Sequence, residues 1–386
     1  EYTKIKLEMQ DFDKTFDRRA AGSIKWNKYS EDIIPLWVAD MDFEVAEPIQ
    51  EAIEKYKLSK IYGYAAPRED LAEVIVDRFK RLYGWDIKRE WIVWVPSVVS
   101  SLYVTANLVS FEPYSVMTSV PVYQPFLGAA QAGRRSLNEV NLKIGEKGWE
   151  MDFEEMERKI NADTKLYILC NPHNPTGRMY TSEELGKLGD FCVKNGIVIC
   201  SDEIHADIIL NPEKKHIPIA SISEKIAMNT ISLYSSAKAF NTPGLNAGFA
   251  VIPNPNLRSR FVKEKDHIVP YMGLLGSETT MAAFKDSGQW LEDVLIYLKQ
   301  NHDYLFGQIN SISGLKMFKS EGTYLAWIDY SGLGIDNFAD FLEKNGVGVM
   351  EASIFGGSKH IRLNFATQRN LLQEAVARIK IAVANL

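Results

Sequence analysis

The sequence predicts an α/β fold, a large domain on a mainly parallel sheet joined to a smaller α+β unit. Three observations predict it. Short β-rich runs alternate with helical patterns through the middle of the chain. Each run is short, apolar and bounded by turn residues, as strands buried in a parallel sheet are. From Gln289 onward the alternation stops, and a long helical pattern gives way to scattered strands and helices.

Taken in order, the N-terminal segment through Pro35–Met41 has no partner of its own and is expected to fold with the C-terminal unit. Helices are predicted over Pro48–Lys57 and Arg68–Tyr83. Strand Trp91–Val95 is followed by helix Ser100–Val109, and strand Ser115–Val120 by helix Phe153–Ile160. Strand Lys165–Cys170 precedes helix Ser182–Lys194. Strands Ile197–Ser201, Thr230–Tyr234 and Ala247–Ile252 come next, then helix Asn256–Lys265. The C-terminal unit reads as helix Gln289–Ile309, strand Tyr324–Ile328, a helix near Asn337–Asn345, strand His360–Phe365 and helix Asn370–Ala384. No internal repeat, low-complexity tract or Gly/Ser-rich linker separates the units, so close packing is expected. The large domain is placed at 46–286, and the small one at 1–45 with 287–386.

A chain of 386 residues is long for one core, given roughly 100–200 residues per domain. Its apolar fraction is 46%, enough to bury a core and exclude general disorder. The net charge is −6, which argues against nucleic acid or an anionic membrane as partner but leaves room for a local phosphate pocket. No run of about 18 apolar residues occurs, so no membrane span is expected. Cys170, Cys192 and Cys200 form no CxxC pair; Cys170 and Cys200 end apolar runs and read as small buried hydrophobes. An odd, sparse cysteine count fits a reducing compartment, and a cytoplasmic location is expected. The opening residues EYTKIKLEMQDFDK lack an apolar core, so no secretory leader is expected.

Motifs with chemical content fall at the ends of the predicted strands, where ligands of such sheets bind. After Thr230–Tyr234 comes Ser235-Ser236-Ala237-Lys238, followed by the turn-rich Phe240-Asn241-Thr242-Pro243-Gly244. A Lys beyond a buried strand, amid small residues, suits a Schiff-base lysine of lowered pKa for an aldehyde cofactor, and Ser235 is placed to reach a phosphate. After Ile197–Cys200 comes Ser201-Asp202-Glu203-Ile204-His205. Asp202 is either a helix cap or the carboxylate that keeps a cofactor's pyridine nitrogen protonated. His205 either orients Asp202 or is structural.

After Lys165–Cys170 comes the stiff turn Asn171-Pro172-His173-Asn174-Pro175-Thr176-Gly177, in which Asn174 can donate to a phenolate oxygen. After Trp91–Val95 comes Pro96-Ser97-Val98-Val99-Ser100-Ser101. Ser97 or Ser100 is a candidate cap, and the free amides that follow would cradle a phosphate. Tyr123, after Ser115–Val120, is either a core residue or a ring that stacks on the pyridine. In His360-Ile361-Arg362-Leu363-Asn364-Phe365 the alternation puts Arg362 and Asn364 on one strand face. Arg362 is a candidate clamp for an α-carboxylate.

Together, Asn-Pro-His-Asn-Pro-Thr-Gly, Ser-Asp-Glu-Ile-His and Ser-x-x-Lys-x-Phe-Asn-x-Pro-Gly resemble the fold-type I pyridoxal-phosphate enzymes of the class I/II aminotransferase superfamily, nearly end to end. Within it, Gly22-Ser23-Ile24-Lys25-Trp26-Asn27, Pro35-Leu36-Trp37-Val38-Ala39-Asp40-Met41-Asp42-Phe43, Tyr62-Gly63-Tyr64 and Ile361-Arg362-Leu363-Asn364 are most similar to the MalY/PatB branch of cystathionine β-lyases and cystalysin-like C–S lyases. The resemblance implies the aspartate-aminotransferase-like architecture, with a mainly parallel seven-stranded sheet, and pyridoxal 5′-phosphate on Lys238. It implies a homodimer with shared active sites in which Tyr64 reaches the phosphate held by the neighbouring subunit. Val98 and Val99 would supply phosphate-binding amides, and Ala39 and Asp40 would lie beside an amino-acid substrate.

The chain departs from the family with Ser97 before the two valines, Ala237 before the lysine, Gln124 after Tyr123, and a shortened Glu351–Lys359 stretch. The implied reaction is α,β-elimination on an L-cysteine-type amino acid, with Lys238 as base and a thiolate leaving. The alternatives are an aminotransferase on the same residues, and a non-catalytic regulatory protein, to which Lys238, Asp202 and Arg362 would be dispensable.

Overall fold

The runs Ser115–Val120, Thr230–Tyr234 and Gly248–Val251 are buried at every position, which requires a sheet covered on both faces. The computed structural model describes residues 10–64, 66–108, 113–146 and 148–386. The start of the N-terminal segment and Val109, the last residue of a predicted helix, lie outside the described residues. Strands β1 (Ile92–Val95), β2 (Ser115–Val120), β3 (Ser136–Asn141), β4 (Thr164–Cys170), β5 (Val198–Asp202), β6 (Thr230–Tyr234) and β7 (Gly248–Val251) form a seven-stranded sheet in the order β1-β7-β6-β5-β4-β2-β3. All pairs are parallel except those of β7, which runs antiparallel to both neighbours. The register sets Cys170 beside Asp202, and Asp202 beside Leu233. The carboxyl ends of β4, β5 and β6 therefore lie side by side, and the motifs that follow them converge.

Helix boundaries follow local chemistry. Thr181 and Glu184 form a capping box that starts helix Ser182–Lys194, and left-handed Gly84 closes helix Glu69–Tyr83. The helix predicted from Ser100 starts at Val98, because Ser97 accepts the Ser100 amide at 3.1 Å. Strand β3 and helices Gln124–Ala132 and Leu274–Asp286 were not anticipated. β3 is a polar, largely exposed edge, without the apolar pattern of its neighbours. Pro125 and Gly128 mask the first helix. Gly276 weakens the signal of the second, and packing demands it: a Cβ there would lie 2.9 Å from the Leu245 carbonyl oxygen.

The C-terminal strands β8 (Lys316–Met317), β9 (Leu325–Asp329), β10 (Met350–Glu351) and β11 (His360–Asn364) form an antiparallel sheet in the order β8-β9-β11-β10. Helix Gly288–Asn310 packs against helix Arg369–Ala384 and β8. Ile34–Pro35 pairs with Val347–Gly348 in a separate two-stranded sheet, and the Asn364 backbone amide donates to the Leu36 carbonyl at 2.8 Å, which ties the N-terminal segment to the C-terminal unit. One apolar cluster runs from Leu36 and Met41 through Tyr234 and Phe249 to Leu325 and Ile379. The two sheets share that core.

A polar clamp adds to it. The Gly177 carbonyl accepts the amides of Glu321 (2.8 Å) and Gly322 (3.0 Å). The Glu321 carboxylate takes Arg178 at 3.0 Å, the Met179 amide at 2.9 Å, and Lys214. The turn after β4 is thereby fastened to the chain entering β9. Gly177 sits at φ +70°, and a Cβ would lie 2.6 Å from the Ser320 Cβ. Gly177→Ala is expected to cost about 1–3 kcal/mol through strain and overpacking. Urea unfolding should show this as a lower midpoint at unchanged slope; an unmoved midpoint would show that Ser320 yields freely.

Candidate active site

β6 ends at Tyr234, and the chain turns immediately. Ser235 fixes that turn by donating to the Ala247 carbonyl (2.5 Å) and accepting the Ala237 amide (3.0 Å). The turn delivers Lys238, whose Nζ donates to the Ala39 carbonyl at 2.6 Å. Burial lowers its pKa to about 8; Arg362 pushes the same way, while Asp40 and Asp202 oppose. Asp202 is the last residue of β5 and no helix follows it, so it is not a helix cap. Its carboxylate accepts the Ile204 amide at 3.1 Å. Burial raises its pKa to about 7, against the Ile204 hydrogen bond and the Lys238 charge.

Lys238 and Asp202 line a cavity of about 330 Å³ with Ala39, Val98, Val99, Tyr123, Asn174, Ser235, His205 and Arg362. Sequence reasoning named all of these, and the fold brings them together. Val98 and Val99 open a helix, so their amides have no intrahelical acceptor. The Tyr123 amide donates to the Asn174 carbonyl at 3.1 Å, which joins two walls. Asn174 Oδ1 accepts Arg362 Nη1 at 3.1 Å, leaving the amide's donor end for a ligand. Arg362 Nη2 donates to the Trp37 carbonyl at 2.8 Å. His205 is buried with Nδ1 unpartnered. Burial, Lys238 and Arg362 push its pKa well below the usual range, so it is neutral. Its ring meets Tyr324 edge-on at 6.1 Å.

Two sequence-named residues stand outside this cavity. Tyr64 is fully exposed. Asp40 turns its carboxylate to Arg18 (2.8 Å) and Lys25 (3.6 Å) and lines a neighbouring cavity of about 750 Å³ that also reaches Lys238. Sequence reasoning missed Trp37 and Met350, which line the first cavity. Trp37 lay within a motif; Met350 faces Arg362 only through the register of β10 on β11.

The donor set fits pyridoxal 5′-phosphate group for group. Helix-start amides suit its phosphate, Asp202 its pyridine nitrogen, Lys238 its aldehyde, and Asn174 its phenolic oxygen. Fold and site together define a pyridoxal-phosphate enzyme. The chain belongs to the aminotransferase class I and II family, whose sequence pattern matches residues 31–379. It is 31% identical to cystathionine beta-lyase PatB of Bacillus subtilis over 97% of this chain and 100% of that one. It resembles the crystal structure of OvoB at 38% identity and TM-score 0.95, covering 97% and 100% of the chains. It resembles cystalysin of Treponema denticola, solved with pyridoxal 5′-phosphate, at 29% identity and TM-score 0.93, covering 98% and 100%.

The raised pKa of Asp202 sets a pH dependence. The folded protein without cofactor holds a proton that the unfolded chain releases near pH 4. Between about pH 4 and 7 the folded state binds more protons, so this group makes stability fall as pH rises. Cofactor-stripped Asp202→Asn is expected to be more stable than the stripped wild type at about pH 8, with the gap closing toward about pH 4. Urea unfolding across that range checks it, and a pH-independent gap would contradict it.

Proposed function

We propose that this protein is a pyridoxal-phosphate-dependent carbon–sulfur β-lyase. It cleaves an L-cysteine-derived thioether or thiol to pyruvate, ammonia and a thiol. The observation that carries the reading is full-length similarity to a cystathionine beta-lyase, on a chain whose cavity pairs Lys238 with Arg362.

When bound, the cofactor supplies an electron sink for charge developing at the substrate Cα. Asp202 holds the proton on the pyridine nitrogen that keeps the sink effective. Arg362 is buried, its pKa lowered to about 10 by that burial. Its hydrogen-bond partners are a side-chain amide oxygen, a backbone carbonyl and the Met350 sulfur, its Nε has none, and the Phe355 ring lies 4.8 Å from the guanidinium carbon. A substrate α-carboxylate provides the missing counter-charge through a two-pronged contact. With a pKa near 8, Lys238 is partly neutral at ordinary pH and suits removal of the Cα proton. A thiolate then departs from Cβ readily, because thiols ionise near pKa about 8.5.

Transamination is the second reading, favoured by the description of the family. The same lysine would return the proton to a different carbon. Incubation with L-cystathionine or L-cysteine is expected to release pyruvate, with no dependence on an added 2-oxo acid. Turnover seen only with a 2-oxo acid acceptor would replace the lyase by an aminotransferase.

The reading extends to a large domain at 46–286, a small one at 1–45 with 287–386, and a homodimer with shared sites. Leu58, Ile61, Tyr62 and Tyr64 form an exposed apolar stretch, which supports a subunit contact in which Tyr64 reaches the phosphate of the other protomer. Mixing Lys238→Ala subunits with Tyr64→Ala subunits is expected to restore part of the lost activity, since one site of the heterodimer then carries neither defect. No recovery despite proven subunit exchange would place Tyr64 outside the shared site.

A further inference from the structure

The segment 36–43 is held almost everywhere by side chains from elsewhere in the fold. Asn364 Nδ2 binds the Val38 and Asp40 carbonyls at 2.7 and 2.6 Å. Asn241 accepts the Met41 amide at 3.0 Å and donates to the Met41 and Phe43 carbonyls at 3.1 and 2.8 Å. Asp42 is fixed by Lys25 and Arg18, each at 2.7 Å. Within this frame the Ala39 carbonyl has two partners, Lys238 Nζ at 2.6 Å and the Tyr324 hydroxyl at 3.1 Å. Tyr324 is only 1% exposed, and burial raises its pKa well above the usual phenol range. It is therefore a hydrogen-bond donor throughout the working pH range.

The geometry points to Tyr324 as a positioning residue for Lys238, acting through the Ala39 carbonyl. A carbonyl oxygen has two lone pairs, and here both are spoken for. The phenol fixes one and so fixes the direction of the other. A lysine amine that keeps one N–H on this oxygen has its own lone pair aimed by a rigid acceptor. The phenol also competes for the oxygen's electron density, which makes the carbonyl a weaker partner for the ammonium form. Loss of the hydroxyl therefore has two effects. The amine is less well oriented, and it becomes more basic. The charged groups facing Lys238 are Arg362, Asp40 and Asp202, with neutral His205 beside them; Tyr324 also faces Arg362 and Asp40, and Tyr324→Phe leaves all of these side chains in place. The inference rests on Lys238 being the base that takes the Cα proton, and it is independent of the fate of the substrate afterwards.

The test uses Tyr324→Phe holoenzyme and L-alanine, which has no leaving group at Cβ. Exchange of its Cα hydrogen in deuterated water, followed by NMR, reads the proton transfer alone. Exchange is expected to slow about tenfold, the worth of one net hydrogen bond, at unchanged cofactor content and alanine affinity. A second readout needs no catalysis: the pH dependence of Lys238 acylation in cofactor-stripped protein, followed by mass spectrometry, should move to higher pH. Unchanged exchange with an unmoved labelling profile would overturn the proposal. Should Tyr324→Phe fail to fold, 3-fluorotyrosine at position 324 keeps the shape and strengthens the donor. The labelling profile should then move to lower pH, and an unmoved profile would again overturn the proposal. Lys238→Ala is the control. If it still exchanges the Cα hydrogen, the assignment of the base fails, and the positioning role fails with it; if it does not, the Tyr324 result stands by itself.

Discussion

Three ionisable side chains, Lys238, Asp202 and Arg362, line one small cavity and form no ion pair with one another. Burial drives each toward its neutral form, and the surroundings answer with dipoles. Ala39 and Trp37 offer carbonyls to the two cations, and Ile204 offers an amide to the carboxylate. Dipoles moderate the cost of a buried charge without cancelling it. A ligand carrying a phosphate, a basic nitrogen and a carboxylate-bearing partner completes the electrostatics. The site's affinity for cofactor and substrate and its cost to folding thus have one origin.

That constraint explains how the two sheets are joined. Lys238 and Asp202 come from the ends of the large sheet, while Arg362 comes from β11 of the small one. Holding the three within one cavity requires the sheets to keep a fixed relation. The shared apolar cluster supplies the bulk of that adhesion. The Gly177–Glu321 clamp and the contact of Arg362 with Asn174 add direction. The segment 36–43 is the common wall, bonded to the small sheet through Asn364 and to the lysine loop through Asn241. The asparagine of the Phe-Asn-x-Pro-Gly motif is therefore a structural strut, with its side chain spent wholly on backbone.

The buried network next to Asp202 shows the same economy. Glu203 accepts Tyr234 and His216, each at 2.7 Å, and Ser201 at 2.8 Å. Its carboxylate is solvated by the protein rather than by water. The adjacent Asp202 has one amide partner and faces the cavity. Two neighbouring acids on one strand end thus differ in role because alternation sends their side chains to opposite sides.

The sequence by itself determined the strand-end motifs. A buried parallel strand is short and apolar, and the polar residues that follow it stand out against that background. Lys238, Asp202, Asn174 and the helix opening at Val98 were legible for that reason, and so was the sheet that gathers them. The edge strand Ser136–Asn141 and helix Leu274–Asp286 were not, because exposure in one and close packing in the other removed the periodic apolar signal. Tertiary structure alone decided what crosses between the units. It set Met350 opposite Arg362 through strand register. It turned the Asp40 carboxylate to Arg18 and Lys25 rather than to the cofactor cavity. It brought Tyr324 and Lys238 to one carbonyl. Local sequence carries period and propensity; which side chain meets which backbone oxygen across hundreds of residues is set only when the two sheets close on their shared core.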